Sequence, residues 1–134
     1  MGWCIVLTKN RGEEMNRQSE IENGRIRSTM LGYEDHGILT CFLNIEFDTG
    51  GQGFGGYAFD KPSYAYDGSF VTRRGTAYGT QFIIEILKVV GVEKWEDLKD
   101  KYIRVDHDYA KIYRIGNITK DIWFNPDTLL QEAK

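Results

Sequence analysis

Residues 38–47, ILTCFLNIEF, constrain this chain more than any other stretch. Leu39, Cys41, Leu43, Ile45 and Phe47 fall on one side of an extended backbone, while Thr40, Asn44 and Glu46, with Phe42 among them, fall on the other. Side chains in a strand alternate between faces, so a period of two marks a half-buried strand. Residues 24–33, GRIRSTMLGY, read as a second strand, and residues 34–37, EDHG, supply turn acceptors and a glycine for positive φ. Residues 24–47 therefore read as a β-hairpin.

A different period appears at residues 75–91, GTAYGTQFIIEILKVVG. Phe82, Ile83, Ile86, Leu87 and Val90 recur at spacings of three and four, the stripe of an amphipathic helix. Thr76 is placed to cap its start and Gly91 to close its end. Residues 92–101, VEKWEDLKDK, read as a second short helix with Trp95 and Leu98 inward, and residues 102–118 as strand, turn at His107–Ala110, and strand. Trp123 and Phe124 read as core. The expected fold class is α+β, an antiparallel sheet of about five strands with one or two short helices packed on it.

The 134 residues fit one domain, large enough to bury roughly two-thirds of the surface of the unfolded chain. Residues 1–19 are expected to be a flexible leader, with residues 3–8 as an edge strand as the alternative; residues 20–134 are expected to form a single α+β ligand-binding domain. The apolar run WCIVL is too short for a signal segment or a membrane span, so a cytosolic protein is the default expectation. With 17 basic and 20 acidic residues the net charge is −3, against a large nucleic-acid surface, which needs a basic excess. Cys4 and Cys41 make no disulfide framework, and Cys41 reads as a buried thiol.

Three motifs carry possible chemistry. Residues 51–56, GQGFGG, match the G-x-G-x-x-G pattern, but a β-like, aromatic segment follows where a dinucleotide fold needs a helix. They read instead as a glycine-rich bend or bulge. Its functional variant has the backbone at Gly53 approaching a ligand, with Gln52 and Tyr57 at the rim. Residues 106–108, DHD, and 34–36, EDH, place carboxylates beside both histidines, yet lack metal-ligand spacing and read as solvated turns. Neither a metal nor a cofactor is expected, and no catalytic set is composed. Residues 71–79, VTRRGTAYG, lie in a polar loop before the helix. Either they are a mobile loop, or Arg73 and Arg74 hold a phosphate at the helix N-terminus with Thr76, while Tyr78 offers a flat surface to a base. Arg104 faces away from the side of Ile103 and Val105 and is expected as a further anion contact.

The segments LGYEDHGILT, GQGFGGYAFD, GTAYGTQFI, VGVEKWEDLKDKYIRV and RIGNITKDIWFNP resemble small phage and prophage proteins, and the chain is similar to the first family of Thoeris anti-defence proteins. The resemblance spans about residues 25–126. It implies a non-enzymatic sponge in the cytoplasm of an infected bacterium, binding cyclic ADP-ribose-type signals without cleaving them; some relatives also bind cyclic oligonucleotides. It also implies a β-rich homo-oligomer, an expectation joined by an aromatic content of 13% with eight tyrosines. Two alternatives stay open: a protein-binding inhibitor of a bacterial defence complex, in the manner of an anti-CRISPR, and an enzyme that degrades the signal using His36 or His107.

Overall fold

The structure, a computed structural model, describes residues 19–34 and 37–133. The expected hairpin is present. Strand β1 (Glu20–Tyr33) pairs antiparallel with β2 (Leu39–Phe47), from Tyr33 opposite Leu39 to Gly24 opposite Phe47, with a bulge between Ile26 and Ser28. β1 begins four residues before the expected boundary. Most of the expected leader, residues 1–18, lies outside the described residues, as do Asp35 and His36. Cys41, Leu43 and Ile45 are buried, and Leu39 and Phe47 pack partly buried against them. Thr40, expected on the polar face, is buried, and its Oγ1 donates to the Tyr57 carbonyl at 2.7 Å.

The glycine-rich segment is not a bend. It forms strand β3 (Gly50–Gly55), paired antiparallel with β2. Gln52 and Phe54 face inward, and Gly51, Gly53 and Gly55 face out. Of the β-like segment at residues 56–60, only Asp60 lies in a strand; residues 56–59 cross to the next element, with Phe59 N–H donating to Leu39 O at 2.8 Å. The polar loop expected before the helix is a two-stranded ribbon, β4 (Asp60–Tyr64) with β5 (Phe70–Gly75). Exposure on both faces removes the apolar alternation that announces a strand.

Helix α1 (Ala77–Val90) is where the period places it. The Thr76 side chain accepts from Gly79 N–H at 3.1 Å, and Gly91 closes the helix in the left-handed region at φ 90°. Phe82, Ile86 and Val89 are buried. The second helix shrinks to one 3₁₀ turn, Trp95–Asp97, which still turns Leu98 into the core. Strands β6 (Tyr102–His107), β7 (Ile112–Asn117) and β8 (Trp123–Phe124) follow, then α2 (Pro126–Ala133).

The fold is α+β, with a main sheet of six strands rather than about five, in the order β3-β2-β1-β6-β7-β8 and antiparallel throughout. The sheet coils until its ends meet. Phe54 of β3 stands 6.1 Å from Phe124 of β8, and Gln52 Nε2 reaches from β3 to the Asp108 carbonyl at 2.9 Å. α1 closes the inside of this curved sheet through Phe82, leaving the convex outer face to solvent. No helix among the described residues is long and apolar enough to cross a membrane.

Candidate functional site

The outer face of β6, β7 and β8 carries a concentrated set of charged and aromatic groups. Ile103 and Val105 point into the core, so alternation sends Arg104 and Asp106 outward, as expected for Arg104. The register sets Asp106 opposite Arg114 and Arg104 opposite Gly116. Arg114 Nε donates to Asp106 Oδ2 at 2.8 Å. Arg104 Nε donates to Asn117 O at 2.7 Å, and its Nη2 to Lys120 O at 2.8 Å. Trp123 lies flat on Gly116, where a Cβ would come within 2.7 Å of the indole, so only glycine admits the ring. Both guanidiniums then converge on that indole, Arg104 at 4.6 Å and Arg114 at 4.1 Å from its centroid. Stacking on an aromatic face holds each cation in a fixed plane.

This row has unused capacity. Arg104 Nη1 and both terminal nitrogens of Arg114 have no partner among the described residues. Asp106 is buried, and its Oδ1 has no hydrogen-bond partner among them either. The two guanidiniums face the Asp106 carboxylate on one side, and Asp121 Oδ1 accepts from Trp123 Nε1 at 3.3 Å on the other.

Next to the row runs a groove of about 710 Å³ between β1, β2 and β6. Asn23 stands opposite Arg104, and Arg25 opposite Tyr102, which joins the groove to the arginines. Its rim includes Arg25, Glu46, Asp48 and the exposed ring of Tyr102. Arg25 is fixed between Glu46 and Asp100. The volume lies in the ordinary range for small-ligand sites, roughly 300–1,000 Å³. Carboxylates suit hydroxyl and amino donors, Tyr102 suits a flat ring, and the arginine row suits phosphate oxygens.

The other residues singled out in the sequence lie elsewhere. Arg73 and Arg74 follow one another on β5 and so point to opposite faces of the ribbon, rather than together at a helix start. Arg73 Nη2 donates to the buried Asp60 at Oδ1 (3.0 Å) and at its carbonyl (3.2 Å). Thr76 spends its side chain on capping α1 and on Phe59 O. The Tyr78 ring is set against Phe82 at 5.8 Å, not open to a base. Gln52 points inside the coiled sheet, Gly53 lies on the outer face of β3, and Tyr57 packs on Phe82 at 5.3 Å. Of the expected contacts, Arg104 alone stands in the row beside the groove.

Two of these placements have measurable consequences. The Arg73 guanidinium, aided by the Leu39 N–H at 3.1 Å, holds the Asp60 carboxyl below its ordinary value. A lowered carboxylate contributes stability that is fully present above its unfolded value, near 3.8, and is lost as pH falls through the folded value. Asp60→Asn is therefore expected to be less stable than wild type at pH 7, with the gap closing below about pH 4. Urea midpoints at pH 7 and pH 3 measure it, and a gap independent of pH would remove the linkage. Burial pushes the Tyr78 hydroxyl up to about 12, and this hydroxyl has no partner among the described residues. Tyr78→Phe is expected to be neutral or to stabilise by about 1 kcal/mol, because it removes an unpaired polar group without changing the ring. A loss of that size in thermal melting would mean that the hydroxyl makes a bond.

The histidine and cysteine readings also change or sharpen. His107 is not a solvated turn residue. It ends β6 on the buried face, with Nε2 2.7 Å from Glu22 Oε2 and its ring 4.3 Å from Phe47. Asp106 likewise leaves the turn: its side chain is buried and pairs with the half-exposed Arg114. Cys41 is a free buried thiol whose pKa burial pushes up to about 12, so it carries no thiolate near neutral pH. Among the described residues, no group of three or more histidine, cysteine, aspartate or glutamate residues is placed to hold a metal ion. Sequence reasoning missed Arg114, Asp106 and Trp123 as one unit, although Arg114 was visible as a strand residue. Their link is the β6–β7 register, which spacing along one strand does not give. No protein-family model, curated protein or solved structure matches this chain.

Proposed function

We propose that the protein captures a cyclic nucleotide immune signal, of the cyclic ADP-ribose type, and holds it without cleaving it. In this reading it is a phage-encoded anti-defence protein acting in the cytoplasm of the infected bacterium. One observation carries the proposal: two guanidiniums with unused donors converge on one indole beside a groove of nucleotide size. The pyrophosphate takes the arginine nitrogens, a base lies on Tyr102, and ribose hydroxyls or a base amine donate to the rim carboxylates. Capture in the nanomolar range corresponds to about −12 kcal/mol.

Calorimetric titration of the full chain with cyclic ADP-ribose isomers tests this, followed by heating the complex and analysing what is released. Tight binding and intact release are expected. Arg104→Ala with Tyr102→Ala is expected to weaken binding by about 10²-fold, from one charge-assisted bond and one stacking contact. No capture of any isomer sinks the reading and favours a protein-binding inhibitor. An altered product favours an enzyme. That second reading has its own motive, since Glu22 lines the groove and holds His107 at 2.7 Å.

A further inference from the structure

The side-chain amides of this fold are almost all engaged. Asn44, Gln52, Gln81 and Asn117 each donate a side-chain hydrogen bond within the fold, and Asn125 accepts one at the start of α2. Asn23 differs. Of the asparagines and glutamines whose side chains are described, it alone has no hydrogen-bond partner among the described residues. It is exposed, and it lines the groove.

The register explains why this amide stands open. The β1–β2 ladder begins with Gly24 opposite Phe47, so β1 runs past the end of β2 at Asn23 and the groove opens there. On its other side β1 remains paired with β6. Asn23 stands opposite Arg104, and the next outward pair is Arg25 opposite Tyr102. Residues directly opposite in an antiparallel pair share a face, and diagonal neighbours remain within reach of long and aromatic side chains. Asn23 is therefore diagonal to the exposed Tyr102 ring and beside the first arginine of the row.

The groups around Tyr102 divide by what they can bond. The rim carboxylates of Glu46 and Asp48 only accept, and the guanidiniums of Arg25 and Arg104 only donate. Arg25 is in addition held by Glu46 and Asp100. The Asn23 amide alone sets a donor and an acceptor side by side. That pair matches the 6-amino group and N7 of adenine, with the amide oxygen accepting from the amino group and the amide nitrogen donating to N7. A 6-oxo purine presents two acceptors on the same edge. The amide then makes one bond at most, and its oxygen is set against the oxygen of the base.

We infer that Asn23 reads the base: an adenine lying on Tyr102 turns its 6-amino and N7 edge to the Asn23 amide, and 6-oxo purines are refused. The inference rests on the nucleotide reading of the groove. It adds a choice of base that stacking does not make, since every base has a π-face. Calorimetric titration of the full chain with cyclic ADP-ribose isomers that leave this base edge unsubstituted, and with their hypoxanthine counterparts, measures the choice. The adenine ligands are expected to bind ~10- to 100-fold tighter, the range for one bidentate amide–base pair. Asn23→Ala is expected to bring the two bases within about threefold of each other, by weakening the adenine ligand. Its urea midpoint is expected to match wild type, because the side chain is exposed and holds nothing in the fold. Tight binding without a preference for adenine overturns the inference and leaves the capture reading standing. So does a preference that survives Asn23→Ala. Binding of neither base overturns the capture reading and this inference with it.

Discussion

Phe82→Ala is expected to lower stability by about 3–5 kcal/mol, the range for deleting a large aromatic side chain from a packed core. Phe82 is fully buried and is the ring on which the separate parts of the fold meet. It lies 6.0 Å from Phe54 of β3, 4.9 Å from Phe124 of β8, 5.0 Å from Phe59 at the root of the ribbon, and 5.3 Å and 5.8 Å from Tyr57 and Tyr78. α1, the coiled sheet and the crossing before the ribbon thus share one contact. Truncation leaves a cavity that none of these elements can close alone, because each is held by its own hydrogen bonds. Against a total stability of roughly 5–15 kcal/mol for a domain of this kind, the loss is a large fraction. Phe82→Leu keeps most of the volume and is expected to cost less than the alanine change. Urea unfolding of both variants gives the comparison, and a cost below about 2 kcal/mol for Phe82→Ala would show that the core collapses around the gap.

The parts of the fold that were legible are those where one face is buried. Residues 39–47 and 77–90 each present a solvent side and a core side, so their periods survive in the sequence. Three segments hid for distinct reasons. In β3, glycine takes every outward position, so alternation has only Gln52 and Phe54 to show it. In β4 and β5 both faces meet solvent, and an exposed ribbon has the composition of a loop. α2 had a signal that went unread: Asn125 Oδ1 accepts from Asp127 N–H at 2.9 Å with Pro126 in the first turn, the usual start of a helix.

The candidate site divides in the same way. The count from Ile103 and Val105 turns Arg104 outward, and the same count carried to His107 turns it inward. The polar neighbours Asp106 and Asp108 suggested a turn there, but the ladder runs on to His107 and the core accepts its ring beside Phe47 and Glu22. The convergence on Trp123 depends on which residues face each other across strands far apart in the chain. No local pattern encodes Asn23 opposite Arg104 or Asp106 opposite Arg114. Arg73 shows the reverse case. Its charge suggested a ligand, and its partner Asp60, thirteen residues away, becomes visible only once the ribbon is known.

Gly55→Ala is expected to cost at least about 3 kcal/mol or to prevent folding, since Ala in this backbone region and a clash with fixed backbone add together. Gly55 ends β3 at φ 136°, in the region that side chains rarely adopt. A Cβ there would overlap the Cys41 carbonyl oxygen and crowd Phe42 Cα at 3.1 Å. The obstacle is backbone, so no rotamer change relieves it. That carbonyl also accepts from Gly56 N–H at 2.9 Å, and Cys41 sits in the buried middle of β2, so moving it disturbs Leu43 and Ile45 beside it. Gly53 provides the matched control. It lies two residues earlier on the same strand and the same face, and a Cβ there would meet nothing closer than the Asn44 side chain at 3.7 Å. Gly53→Ala is expected to change stability by no more than about 0.5 kcal/mol in either direction, as at an open surface position. Soluble yield and urea midpoint, measured for both variants side by side, decide between a general dislike of side chains on β3 and a requirement at one residue. If Gly55→Ala unfolds at the same midpoint as Gly53→Ala, the strand end is free to shift and the tight approach of β3 to Cys41 is not what fixes that edge of the sheet.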